Sequence, residues 1–138
     1  MKRHPLADFT IDGPPVAKGR PRFSRGRTYT PAKTAAAEER IRNLVALEFH
    51  QDPTTKPINI MLSFGMEIPK SWTKAKKEDA RQGWLPHVST PDLDNLVKLV
   101  TDALNGVVYK DDAQIVRLDA AKLYLPVPAT IITVFPYD

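Results

Sequence analysis

The chain contains no cysteine, so disulfides and thiolate metal sites are both excluded. No apolar run approaches the roughly 18 residues of a membrane span, and the opening MKRHPLADFT lacks the apolar core of a signal peptide. The expectation is a cytoplasmic protein without a membrane partner. No internal repeat, low-complexity tract or linker is visible, and no serine–histidine motif offers a nucleophilic side chain. The 138 residues read as one domain, 1–138, large enough for a single core. Thirteen prolines argue for rigid loops and against an all-helical bundle. The formal net charge of +4 points to an acidic partner such as nucleic acid.

What is present centres on Thr90 to Val116, TPDLDNLVKLVTDALNGVVYKDDAQIV, which holds five aspartates. Leu93, Leu96, Val97, Val100, Ala103 and Leu104 recur at helical spacing and define a buried stripe. Gly106 after Asn105 is a helix stop, because glycine accepts a left-handed conformation. Asp92 and Asp94 lie at the front of this helix, with Thr90 or Asp92 as its cap. Asp111 and Asp112 lie beyond its far end. A chain that folds back after Gly106 brings both acidic pairs toward one spot, where carboxylates repel unless a cation sits between them. Oxygen ligands alone suit a hard ion such as Mg²⁺. Lys98, four residues after Asp94, shares its face and sets an ammonium beside that spot. Each aspartate also has an ordinary explanation. Acids in a first turn complement the helix dipole, Asp94–Lys98 works as a surface pair, and Asp111-Asp112 works as a turn.

PDLDNLVKLVTDALNG followed by YKDDAQIV resembles the signature of the RusA family of Holliday-junction resolvases. GRPRFSRGRTYTP near the start, and IPKSW with the basic segment after it, are similar to that family as well. The resemblance implies a small Mg²⁺-dependent endonuclease of the kind often found in phages and prophages, with Mn²⁺ able to substitute. It implies a RusA-like fold, and DNA recombination and repair as the setting. It makes Asp92, Asp94 and Asp112 the metal-binding and catalytic carboxylates, Asp111 the adjacent metal-site acid, and Lys98 the essential lysine. The resemblance also implies a four-way DNA junction as substrate, resolved by paired symmetric nicks. One chain carries one such site, so two opposed cuts imply a symmetric homodimer.

The rest of the chain fits an α+β domain, a small mixed sheet with helices packed against it. Ala7 to Asp12 alternates as a strand ended by Gly13-Pro14-Pro15. From Lys18 to Tyr29, five cations (Lys18, Arg20, Arg22, Arg25, Arg27) occur without an acid, interleaved with Phe23 and Tyr29 on an irregular backbone. Such a loop follows phosphates while its aromatics stack on bases; the alternative is a solvated loop pinned by inward aromatics. Thr34 to Phe49 reads as a helix with Ile41, Leu44, Val45 and Phe49 buried and no chemistry assigned. Pro57 to Ile68 is a second strand. Ser71 to Gln82 is a polar helix capped by Ser71, on which Lys74, Lys77 and Arg81 share a face, either a second phosphate contact or a solvated surface. Trp72 and Trp84 anchor it at either side. His87 is within reach of the acidic site, although a lone loop histidine is more often incidental. Ile115 to Leu125 and Thr130 to Phe135 complete the sheet, most simply as an antiparallel hairpin. Two rival functions stand beside the resolvase: a less selective Mg²⁺ nuclease acting on flaps or forks, and a non-catalytic DNA-binding module.

Overall fold

The computed structural model describes residues 4–19, 22–24, 27–29 and 32–137, the side chains of 22–24 and 27–29 excepted. A four-stranded mixed sheet carries the fold, with strands β1 (Ala7–Asp12), β4 (Ile58–Glu67), β5 (Ile115–Leu125) and β6 (Ala129–Pro136) in the order β1-β6-β4-β5. Strands β2 (Arg22–Ser24) and β3 (Arg27–Tyr29) pair separately as a short antiparallel hairpin. Helices α1 (Ala32–Glu48), α2 (Lys74–Arg81) and α3 (Leu93–Leu104) complete the domain. Among the described residues no helix is long and apolar enough to cross a membrane.

Alternation within the strands puts Phe9 and Ile11 of β1, Ile58, Ile60, Leu62 and Phe64 of β4, and Ile132 and Val134 of β6 into one core. Helix α1 adds Ile41 and Val45, and α3 adds Leu96, Leu99, Val100, Ala103 and Leu104, all with almost no exposed surface. Burying such aliphatic side chains contributes about 1.5–3 kcal/mol each, which fixes α3 rigidly against the sheet. β4 pairs antiparallel with β6 but parallel with β5. A parallel pair needs a long crossover, and the segment containing α2 and α3 supplies it.

That topology corrects the expected β5–β6 hairpin. The Pro126-Val127-Pro128 connection does not lay the two strands side by side, because β4 lies between them. Gly65 on β4 makes room for the passage: a Cβ there would collide with the Leu125 side chain and crowd the Ala129 carbonyl oxygen at 3.1 Å. Sequence alternation reports strands but carries no signal for which strand is inserted between which. Other local expectations shift as well. The basic stretch after Lys18 contains the β2–β3 hairpin instead of an irregular loop. Thr73, whose hydroxyl accepts the Lys76 amide at 3.2 Å, caps α2 in place of Ser71. Thr34 lies inside α1, buried, with its hydroxyl accepting the Gly19 amide at 2.9 Å.

Candidate active site

Asp92 occupies the cap position of α3: its backbone is extended and its carbonyl accepts the Leu96 amide at 3.1 Å. Its side chain makes no capping hydrogen bond, leaving the exposed carboxylate without that role. Asp94 follows in the first turn, also exposed, one of its oxygens accepting the Asn95 amide at 2.9 Å. The segment before the helix is tied to the sheet by Lys122 of β5, whose ammonium donates to the carbonyls of Ser89 (2.9 Å) and Pro91 (3.0 Å). The N-terminal basic segment docks on the same helix, where the Lys18 amide donates to the Asn95 carbonyl at 2.8 Å.

At the far end, Gly106 takes φ +82° and turns the chain back. The return is fixed from below. Tyr109 is fully buried and its hydroxyl donates to the Thr101 carbonyl of α3 at 2.6 Å, while burial pushes its phenol well above the usual range. Backbone bonds join Thr54 to Val108 and to Lys110 at 2.9 and 3.1 Å. Asp111 then caps a single 3-10 turn, Asp112–Gln114: its carboxylate accepts the Ala113 amide at 3.3 Å, and Gln114 Oε1 accepts the Asp111 amide at 2.8 Å. Gln114 Nε2 ties this turn to the carbonyls of Thr54 and Lys56 at 2.8 and 2.9 Å.

Lys98 reaches toward the far end. Its ammonium lies 2.9 Å from Asp102 Oδ1 and 4.0 Å from Asp112 Oδ2. Asp102 is further held by Lys18, at 3.2 Å from its other oxygen, and Lys18 also pairs with Glu38 of α1. Arg42 donates to the Asp102 carbonyl at 2.9 Å and reaches Glu38 at 3.4 Å. Desolvation opposes ionisation of Asp102, but hydrogen bonds from Lys98 and Lys18 outweigh it and hold the carboxyl below its usual value. The hydrogen bond to Asp102 raises Lys98, and burial of Lys18 is outweighed by its bonds to Glu38 and Asp102. Asp112 shifts the other way. A hydrogen bond with Asp111, then desolvation, lifts it above the usual carboxylate range despite Lys98 nearby. The neighbouring acid and partial desolvation thus both disfavour charge on Asp112, as like charges do when little offsets them.

The predicted metal-site residues therefore fall into two groups. Asp111, Asp112 and Lys98 come together. Asp92 and Asp94 stand exposed at the front of the same helix; Lys98 is one turn after Asp94, about 6 Å along the axis. Among the described residues no three acidic or histidine side chains are gathered closely enough to cage an ion. The chemistry of the donors nonetheless fits a hard divalent cation: all are carboxylate oxygens, and the acid beside Asp112 opposes its ionisation in a way that a cation would relieve.

Lys18 belongs to the charge network beneath the site, its ammonium engaged by two carboxylates, so it is not a free phosphate contact. Arg20 and Arg25 lie outside the described residues; Arg22, Phe23 and Arg27 sit on the hairpin strands, their side chains outside them. Lys74 is exposed, and Lys77 lines a shallow cleft of about 250 Å³ with Lys70, Arg81 and Glu67. Trp72 does anchor its segment, packing edge-on against Tyr124 at 5.3 Å under the Lys76 ammonium. Trp84, 71% exposed, does not. His87 packs on Tyr124 at 5.1 Å, and burial, then Lys122, lower its basicity, which marks a packed structural histidine. Glu38, Arg42 and Asp102 escaped the sequence reading. The four-residue spacing of Lys98 and Asp102 was a visible signal, whereas Glu38 on a helix assigned no chemistry gave none.

A family profile described as Endodeoxyribonuclease RusA matches residues 12–135 of this chain. The chain is also similar to a protein of Bacillus subtilis (strain 168) named "Uncharacterized protein YqaN". The two are 38% identical over 126 residues, an alignment covering 87% of this chain and 89% of the relative.

Proposed function

The chain belongs to the RusA family of endodeoxyribonucleases, and from that premise we propose that it is a Mg²⁺-dependent nuclease that resolves four-way DNA junctions by paired symmetric nicks. Recombination and repair of DNA in the cytoplasm is the corresponding setting, and a homodimer the working unit. The observation that carries this reading is the Asp111–Asp112 pair beside Lys98, on a turn pinned at the end of a helix whose front presents Asp92 and Asp94.

Asp92, Asp94 and Asp112, with Asp111 adjacent, are the residues that would hold the ion. When bound, Mg²⁺ supplies a water of lowered pKa and positive charge at the phosphate. The protein's own part is placement. The buried underside of α3 and the Tyr109–Thr101 bond keep the two acidic ends at a fixed separation. Lys98 stays protonated because Asp102 holds it, and it offers a fixed cation to the charge developing on the phosphate. Lys18 and Arg42 hold Asp102 in turn, so Lys98 is aimed by a network reaching back to α1. The hairpin side chains of Arg22 and Arg27, with Arg20 and Arg25 beside them, are assigned to the phosphate backbone, and Phe23 to an unstacked base. Lys74 and Lys77 are assigned a second phosphate contact.

The deciding experiment compares cleavage of a synthetic four-way junction with flap, fork and duplex controls, with and without Mg²⁺. Symmetric nicks in the junction, dependent on the metal, are expected. Equal cutting of flaps and forks would replace the resolvase with a less selective nuclease. Junction binding without cutting in Mg²⁺ or Mn²⁺ would leave a non-catalytic DNA-binding module.

A further inference from the structure

The two edges of the sheet differ in a way that points to a partner. An unpaired edge offers a row of N–H and C=O groups to any other strand, and proteins usually blunt it with short length or charge. β1 does so: it has six residues, and its exposed face carries Asp8 and Asp12, charges of one sign that repel a copy of themselves. β5 does not. It runs for eleven residues, and Val116, Arg117, Leu118 and Asp119 are exposed in succession. Val116 and Leu118, at 54% and 44% exposure, are large apolar side chains left open on an edge. Leu118 and Ala120 line a groove of about 520 Å³ together with Leu93, Asp94 and Val97 of α3.

Among the described residues, the uncovered length of this edge sets a register. The strand begins at Ile115, and from Lys122 onward it is covered, by the Ser89 and Pro91 carbonyls at Lys122 and by Trp72 and His87 at Tyr124. Leu118 is the midpoint of the open stretch 115–121. An antiparallel pairing about a two-fold axis at Leu118 sets Arg117 of each copy opposite Asp119 of the other. It also sets Leu118 against Leu118 and Val116 against Ala120. The pattern is complementary to itself, with two opposite-charge pairs flanking an apolar centre. Moving the axis one residue back, to Arg117, would set arginine against arginine. An isologous interface needs such self-complementarity, whereas a foreign strand does not.

We propose that the β5 edge is the dimer surface, where two copies join antiparallel about Leu118 into one eight-stranded sheet. The proposal deepens the homodimer reading above and rests on it. A two-fold perpendicular to the sheet keeps both α3 helices on one face, so that the two acidic sites address the same DNA molecule from one side. Leu118 and Ala120, on the β5 side of that groove, then meet their cross-strand counterparts in the symmetry mate.

Sedimentation of the full chain tests this with charge exchange. The parent is a dimer at micromolar concentration. R117D places Asp against Asp and D119R places Arg against Arg, so each single variant dissociates at least about tenfold more readily. An equimolar mixture of the two recovers a heterodimer, because each copy now carries one sign, and the double variant R117D/D119R recovers a homodimer. Unchanged melting of the single variants excludes misfolding as the cause. A monomeric parent, single variants as dimeric as the parent, or a mixture that fails to associate would each overturn the surface. Junction cleavage is read separately: a dimer with these properties that never cuts DNA leaves the surface standing and removes the nuclease.

Discussion

Asp102 and Asp112 lie on either side of one lysine and live in opposite electrostatic worlds. Asp102 is half-buried and ringed by Lys98, Lys18 and the Arg42 contact to its backbone, and its carboxyl is held below the usual range. Asp112 has Asp111 for a near neighbour, reaches Lys98 only at 4.0 Å, and is pushed up. A carboxylate already neutralised by two ammonium groups has no use for a metal ion and serves to hold a lysine in place. A carboxylate left beside another acid carries an unfavourable charge that a bound cation would relieve. The same residue type thus does structural work in one place and presents a ligand in the other, and the difference is set by the neighbouring charges instead of by the residue itself.

The largest effect comes from removing the uncompensated charges. Asp112→Asn or Asp94→Asn should lower junction cleavage by about 10³-fold, the scale of losing metal-held charge stabilisation, while binding stays equal or tightens. Cleavage rates and gel-shift affinities on the same junction check both halves. Next, reversing Arg20, Arg22 and Arg25 to glutamate should weaken junction binding by about 10²-fold at moderate salt, and lower the slope of log affinity against log salt by about one for each lost phosphate contact. If the slope were unchanged, DNA would be gripped elsewhere.

Asp102→Asn should act more mildly. Lys98 remains but loses its strongest partner, so cleavage falls about tenfold, and two lysines are left facing each other at a loss of about 1–2 kcal/mol measured by denaturant unfolding. The pH dependence has a definite sign. Because the folded Asp102 titrates below its usual 3.8, its stabilisation is complete above that value and fades as pH falls through the depressed one. The variant should therefore lose its deficit relative to the parent in strong acid. The smallest effect sharpens the contrast most. Asp112 titrates above 3.8 when folded, so its contribution is present at low pH and disappears as pH rises through the raised value. Metal-free Asp112→Asn should melt slightly higher than the parent at neutral pH, opposite to Asp102→Asn.

Much of this was legible in the chain itself. Helical spacing from Leu93 to Leu104, the Gly106 stop and the alternation of β1 and β4 all reflect local rules, and the structure follows them. The insertion of β4 between β5 and β6 was not legible, because pairing partners depend on the whole core and not on either strand. Nor was the Lys18–Glu38–Asp102 network, whose members are spread over three segments. The metal-site residues were legible as types at a spacing. Their gathering was not, since Asp92 and Asp94 stand exposed without joining Asp111 and Asp112 in one cluster of described residues.

Titration of the metal-free protein with Mn²⁺, followed by calorimetry or by the loss of free-ion paramagnetic resonance, tests the central claim without DNA or catalysis. The account predicts saturable binding by the parent that is lost in both Asp94→Asn and Asp112→Asn and retained in Asp102→Asn. Binding untouched by either of the first two substitutions, or abolished by the third while they bind normally, would contradict it.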